Sequence, residues 1–409
     1  MKKPGLMYFV VSLLLAFSLG CSNQNLKMNY RTFHDDYELI RSGDPEMKLL
    51  KDDEGKGMII VSPGYQGKVF TSSFNGMEGR SLGWVNEEAI KSKDIDPQMN
   101  AYGGENRLWI GPEGSKYSIF FAPGEDLIFE DWNTPPPLDS ERWKIENIGD
   151  RFVVMSHEMK LLNHVGSQFH VRIVRTVSLL KGQEISENLD ILLNPDLNMV
   201  AYETINVLIN SGANEWTRKT GSICIWMLDM FAPSDETIII VPFKAQTDQV
   251  TNAITSDYFG AISSDRLVRK GDKLFFLADG KSRGKLGVAA THALPWAASY
   301  DSGNKTFTFV QFDLDPNAVY LNQEWRVDSN PFLGDAVNAY NDGPLEDGSQ
   351  LGPFYELESC SPGAFLKGGE SLRHAHHVYH FSGDDNQLAP VIEKLTGMKI
   401  KNLNRNIFK

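Results

Sequence analysis

Apolar and polar residues alternate one for one through most of the chain beyond residue 30, and long stretches with a period near three and a half are nearly absent. A period of two puts successive side chains on opposite faces of an extended strand. The pattern therefore commits the chain to an all-β fold. The clearest case runs from Phe169 to Leu180, where Phe169, Val171, Ile173, Val177 and Leu179 fall on one face. His170, Arg172, Thr176 and Ser178 fall on the other, and Val174 and Arg175 are expected to break the alternation midway. Similar runs occur at Met58 to Val61, Lys68 to Phe74, Tyr117 to Ala122, Val200 to Ile209, Thr237 to Val241, Lys273 to Ala278, Thr306 to Phe312 and Leu372 to Phe381. Turn residues such as Pro63-Gly64, Asn194-Pro195 and Ser302-Gly303-Asn304 separate them. So many strands with few helices favour a large sandwich. One helix is expected near the end, capped by Asp384 or Asp385, packed through Leu388, Val391, Ile392 and Leu395, and stopped at Gly397. With no linker evident after residue 30, residues 31–409 read as a single domain.

The first residues have a different logic. Lys2 and Lys3 precede an apolar run from Leu6 to Leu19 that is too short to span a bilayer, and Gly20-Cys21 follows. Residues 1–20 thus read as an export signal, and Cys21 after Gly20 resembles a lipobox. Ser18 stands where such motifs usually carry an aliphatic residue. The expectation is a chain lipidated on Cys21, with residues 21–30 as a polar tether, held at the outer membrane and facing either the periplasm or the surface.

Of the 409 residues, 41% are hydrophobic and 23% charged, which suits a folded domain with a large core. The net charge of −13 disfavours nucleic acid and anionic lipid as partners. Neutral polar molecules such as sugars fit this surface, and a monomer is expected. Cys224 and Cys360 lie in apolar or strand-like runs and read as small buried residues more readily than as a disulfide. Phosphate-cradling glycine loops, dinucleotide fingerprints, zinc-peptidase and serine-hydrolase motifs are all missing, so no cofactor is expected.

Three segments carry residues suited to chemistry. Gly103-Gly-Glu-Asn-Arg-Leu-Trp-Ile-Gly-Pro-Glu113 sets Glu105, Asn106, Arg107 and Trp109 between glycine-rich turns. Amide and guanidinium groups suit hydroxyl oxygens and an indole offers a flat apolar face. The plainer reading pairs Arg107 with Glu113 and buries Trp109. A second segment holds Asn338 and Asn341, followed by Phe354-Tyr-Glu-Leu-Glu-Ser-Cys360, in which Glu356 and Glu358 share one strand face. Two carboxylates on one face are either a solvated edge or a site in which at least one, its pKa raised by apolar surroundings, serves as a base. The third, Leu372 to Phe381, places His374, His376 and His380 on one face and His377 on the other. That spacing permits a metal, but the residues read better as sugar contacts or acid–base groups, and no metal is assigned.

The segments Gly103 to Trp109, Gly111-Pro112-Glu113, Trp132 with Pro135 to Leu138, and Phe354 to Glu358 resemble those of bacterial proteins related to galactose mutarotase, the aldose 1-epimerase superfamily. The likeness is nearest to uncharacterised lipoproteins of that group. It implies a β-supersandwich of many antiparallel strands with a carbohydrate cleft on one sheet. In the epimerases a carboxylate takes the proton of the anomeric hydroxyl and a histidine protonates the ring oxygen. Glu358 or Glu356 matches the carboxylate, and Asn106 and Arg107 resemble the substrate-holding pair. At the family's histidine motif this chain has Asn206-Val-Leu-Ile-Asn210, so either His292 or His376 has taken over or the chain does not perform mutarotation. The expectation is a lipid-anchored saccharide-binding protein, with Asn106, Arg107, Trp109, Trp226, Asn338, Asn341 and Glu358 around the ligand. Any activity would be an aldose 1-epimerase type of isomerisation. The alternatives are a non-catalytic glycan binder and a metal-dependent lyase or isomerase using His374 and His376.

Overall fold

The computed structural model describes residues 30–409 apart from Lys93 and residues 246–252. The expected export signal and Cys21 lie outside the described residues. Arg31–Lys409 forms one compact unit. Among the described residues nineteen strands make three sheets, and every pairing is antiparallel. The smallest contains β1 (Lys48–Lys51), β2 (Met58–Ser62) and β3 (Lys68–Ser73).

The largest has ten strands, in the order β12 (Leu267–Lys270), β13 (Lys273–Leu277), β10 (Thr237–Pro242), β15 (Trp296–Asp301), β16 (Thr306–Phe312), β19 (Ser371–Ser382), β8 (Asn198–Asn210), β7 (Gln168–Leu179), β6 (Phe152–Leu162) and β5 (Lys144–Ile148). The third has six, ordered β11 (Ile254–Thr255), β14 (Gly284–Ala289), β17 (Asp335–Asn341), β18 (Tyr355–Cys360), β9 (Cys224–Phe231) and β4 (Arg107–Gly111).

The two large sheets share one core. Val171, Ile173, Leu208, Val310 and Val378 of the ten-stranded sheet belong to the same buried cluster as Ile225, Met227, Leu286, Val337 and Leu357 of the six-stranded one. Because strand side chains alternate, each sheet has a second face to cover. On the ten-stranded sheet this is done by α4 (Asp385–Thr396), whose Leu388, Val391 and Ile392 pack on Ile238, Phe307, Tyr379 and Phe381. Asp384 caps α4 and Gly397 ends it in the left-handed conformation, as the sequence suggested. Among the described residues three other helices are α1 (Phe33–Gly43), α2 (Glu87–Ser92) and α3 (Gly182–Leu189). Loops cover the outer face of the six-stranded sheet, and the candidate site lies beneath them.

One expectation is corrected by β7. The alternation does not break at Val174 and Arg175, since the register with β6 and β8 runs without interruption through both. Arg175 simply takes an inward position and is fully buried. Its Nε donates to the Gly67 carbonyl at 3.0 Å and its Nη1 to Asn206 Oδ1 at 2.8 Å, while Nη2 reaches Asn106. A charge can occupy a core position when its donors are met in this way.

Candidate functional site

Alternation along β18 decides which carboxylates can face a ligand. Tyr355, Leu357 and Ser359 point into the core, where Tyr355 and Ser299 hydroxyls lie 2.7 Å apart. Glu356, Glu358 and Cys360 therefore point out through the six-stranded sheet. Register carries the same face across the neighbours: Leu228 of β9 is opposite both Glu358 and Arg107, Trp226 is opposite Cys360 and Trp109, and on the other side Asn338 and Tyr340 of β17 are opposite Glu358 and Glu356. Lys285 of β14 follows, opposite Tyr340.

These residues form two buried acid–base pairs. Glu358, fully buried, has Oε2 bound by the Trp226 indole at 2.8 Å and by the Lys285 ammonium at 3.0 Å. Its Oε1 has no partner. Arg107 donates through Nη2 to Glu356, while its Nε is unpartnered, as is Oδ1 of Asn338. Lys285 lies 4.8 Å from the Trp226 ring, and Arg107 lies 5.2 Å from that of Trp109. Burial pushes the Glu356 carboxyl up to about 7; Arg107 opposes this and Glu358 adds to it. Burial also pushes Glu113 up to about 7; Lys285 opposes this and Glu358 adds to it. For Lys285, burial favours the neutral amine, but Glu358 and Glu113 outweigh it and the ammonium is held more tightly than usual.

Glu113 is only half-buried. Partly exposed rings from three loops frame the face: Trp84, the adjacent Tyr258 and Phe259, and Trp325. Trp84 packs on Phe354 at 4.9 Å, Phe354 on Tyr340 at 5.8 Å, and Phe259 on Tyr340 at 5.9 Å. Tyr258 sits 5.5 Å from Lys285 and donates to Asp335 at 2.9 Å.

Glu356, Glu358, Arg107, Trp109, Trp226 and Asn338 are thus brought to one face. Trp109 is enclosed there by Phe120 at 5.4 Å, Trp226 at 5.7 Å and Trp132 at 6.4 Å, so its ring is packed and not open. Arg107 takes Glu356 as its partner and not Glu113. The other expected residues lie elsewhere. Asn106 turns inward to Asp229 and Arg175. Asn341 is fully buried, bonded to the backbone of Gly280 and Ser282 at 2.9 and 2.8 Å. His292 sits on a loop against Thr291 at 2.9 Å.

His376 belongs to a chain of hydrogen bonds between the two large sheets. Its Nε2 donates to Asp229 Oδ2 at 2.6 Å, its Nδ1 and Ser359 Oγ are 2.9 Å apart, and Ser359 Oγ is 2.9 Å from His374 Nε2. With its proton on Nε2, His376 accepts through Nδ1 from the Ser359 hydroxyl, whose oxygen in turn accepts from His374 Nε2. Burial drives His374 down to about 3, with His376 beside it. This Ser–His–Asp order has no access to solvent, since all four side chains are fully buried. Among the described residues no three His, Cys, Asp or Glu side chains converge as a metal-binding group.

Lys285 and Glu113 escaped the sequence reading as functional residues. The signal for Lys285 was one lysine inside the short run Gly284-Lys-Leu-Gly-Val-Ala289. Cys224 and Cys360 are buried free thiols, both within 3.8 Å of the Gln323 amide nitrogen.

The model of a family of unknown function, DUF6786, matches residues 31–407. No curated protein matches the chain. Among solved structures, the chain is similar to a galactose mutarotase-like protein from Lactobacillus casei, at 10% identity and a TM-score of 0.47, over 82% of this chain and 99% of that one. It is also similar to a galactose mutarotase related enzyme from Lactobacillus acidophilus, at 8% identity and a TM-score of 0.41, over 82% of this chain and 97% of that one.

Proposed function

We propose for this chain, which belongs to the family of unknown function DUF6786, a saccharide site on the outer face of the six-stranded sheet, with Glu358 as the base at the anomeric hydroxyl. The observation that carries the proposal is the division of labour on Glu358: Oε2 is fixed by Trp226 and Lys285, and Oε1 is buried without a partner. A buried carboxylate oxygen without a donor is costly, and a hydroxyl donor would satisfy it. The unpartnered Arg107 Nε and Asn338 Oδ1 on the same face offer one further donor and one acceptor. Sugars present hydroxyls that act as both.

The chemistry is a proton transfer in each direction. Glu358 takes the proton of the anomeric hydroxyl, the bond from C1 to the ring oxygen breaks, and its electron pair goes to that oxygen, which is protonated by an acid. Reclosure on the other face of the aldehyde gives the second anomer. An acid present in its protonated form near neutral pH is required. Glu356 and Glu113, both pushed up to about 7, supply that property without a histidine. Because Glu358 is fully buried, a sugar reaches it only if side chains over the outer face of the sheet move aside.

The test is exchange NMR on residues 27–409 with free sugars and uronic acids, following the α and β anomeric signals. Accelerated exchange that disappears in Glu358→Gln is expected; exchange unchanged in that variant would refute the base. Line broadening without exchange would make the protein a glycan binder. The same proposal puts the chain at the outer membrane through a lipid on Cys21. Incorporation of a labelled fatty acid, lost in Cys21→Ala, is the expected result, and a wild-type chain without label would refute it.

A further inference from the structure

One cation near the site is not used by the chemistry above. Lys285 and Arg107 are held by Glu358 and Glu356, and Arg326 lies 3.6 Å from both Asp257 and Glu324. Arg283, two residues before Lys285, is exposed and has no carboxylate within 4 Å among the described residues. Its guanidinium carbon lies 3.8 Å above the ring centre of Phe259, itself 41% exposed, and Phe259 meets Tyr340 on the site face. Arg283 is also near enough to Glu113 and Tyr340 to act on both electrostatically.

A chain with net charge −13 has carboxylates in excess, so a guanidinium without one at the rim of a buried site stands out. Stacking on Phe259 strips water from one face of the group and fixes its plane, while the donors at its edge stay free. A planar fork of donors matches a carboxylate with two parallel bonds.

Resting on the saccharide reading, we infer that Arg283, laid on Phe259, selects a sugar bearing a carboxylate, that is, a uronic acid or a glycan ending in one. In a pyranuronate the carboxylate is borne by C5, separated from C1 only by the ring oxygen. Glu358 would then face the anomeric end while Arg283 holds the acidic end at the rim.

The experiment is calorimetric titration with D-glucuronate, D-galacturonate, D-galactose and galactose 6-phosphate, with anomer exchange recorded on the same samples. The wild type should bind a uronate about fivefold more tightly than galactose, the scale of a well-oriented but exposed ion pair. That ratio should fall to about one in Arg283→Gln and to an intermediate value in Arg283→Lys, which keeps the charge and loses the fork. Raising the salt should lower it in the wild type and in Arg283→Lys and leave it unchanged in Arg283→Gln. Equal affinity for uronate and galactose, or a preference that survives Arg283→Gln, overturns the inference while leaving the base on Glu358 intact. Stronger binding of the phosphate than of either uronate overturns the carboxylate assignment. No binding and no exchange with any of the four overturns both readings.

Discussion

Replacing Lys285 by Met tests whether the buried pair with Glu358 is built as described. Methionine keeps most of the volume of the lysine stem, so the main change is electrostatic. Glu358 would be left fully buried with the Trp226 indole as its only donor. Removing one partner of a buried pair typically costs about 3–5 kcal/mol. That cost has a ceiling, because an ordinary glutamate takes up a proton at pH 7 for about 3–4 kcal/mol, and a stranded carboxylate can escape by that route. We therefore expect a loss of about 3 kcal/mol for Lys285→Met. Glu358→Gln should cost less, about 1–2 kcal/mol, since Glu113 and Glu356 still act on the Lys285 ammonium. The double variant should be more stable than the sum of the two losses predicts, by about 2 kcal/mol. Urea unfolding followed by tryptophan fluorescence, with unchanged m-values, measures all three. A Lys285→Met protein within about 0.5 kcal/mol of wild type would refute the reasoning, because exposed pairs lose only about that much.

Trp109→Ala should lower stability by about 3–5 kcal/mol in the same assay, as the ring is packed among Phe120, Trp132 and Trp226; a stable variant that had lost only sugar affinity would instead make Trp109 an open platform. His376→Ala, which removes one donor to the buried Asp229 carboxylate and leaves Asn106 as the other, should cost about 2–3 kcal/mol, and a loss under about 1 kcal/mol would mean that the chain through Ser359 contributes little to stability. The Glu356 carboxyl is raised from 4.5 to about 7, so between those values the folded state binds more protons than the unfolded one. Its contribution is fully present below 4.5 and is lost as pH rises through 7, by up to about 3 kcal/mol. The stability difference between wild type and Glu356→Gln should shrink by about that amount from pH 5 to pH 8, and a constant difference would refute the shift. His374 has the opposite sign: it is held down to about 3, so its contribution is lost as pH falls from 6.5 toward 3, and His374→Asn should flatten the acid limb of the stability profile.

Alternation told which residues share a face, but not which face lies inside, and that distinction explains what was legible. Glu356 and Glu358 could be paired from sequence because a strand with period two leaves no other choice. Register then did the rest, through partners from β4, β9, β14 and β17 that sit up to 249 residues away in sequence and cannot be aligned without the sheet. Asn106 and Arg107, adjacent in sequence, were assigned to one site, yet neighbours in a strand point to opposite sides. Arg107 meets Glu356 on the outer face and Asn106 meets Asp229 on the inner one. The same geometry removes His376 from the outer face: it lies on the ten-stranded sheet and reaches the six-stranded one from behind, through Ser359, the residue next to Glu358. Local composition could not reveal this, because a buried polar residue looks like an exposed one until its partners are known. A consequence is that the strands presenting Arg107, Glu358 and the Trp226 indole are each tied from inside, by the adjacent Asn106 and Ser359 and by Asp229 three residues from Trp226, into one hydrogen-bonded layer. Rigidity of the acid–base face and stability of the core thus draw on the same contacts. Substitutions in the inner layer should shift the geometry of the outer one, and only variants of groups that face outward, such as Glu358→Gln, can separate chemistry from folding.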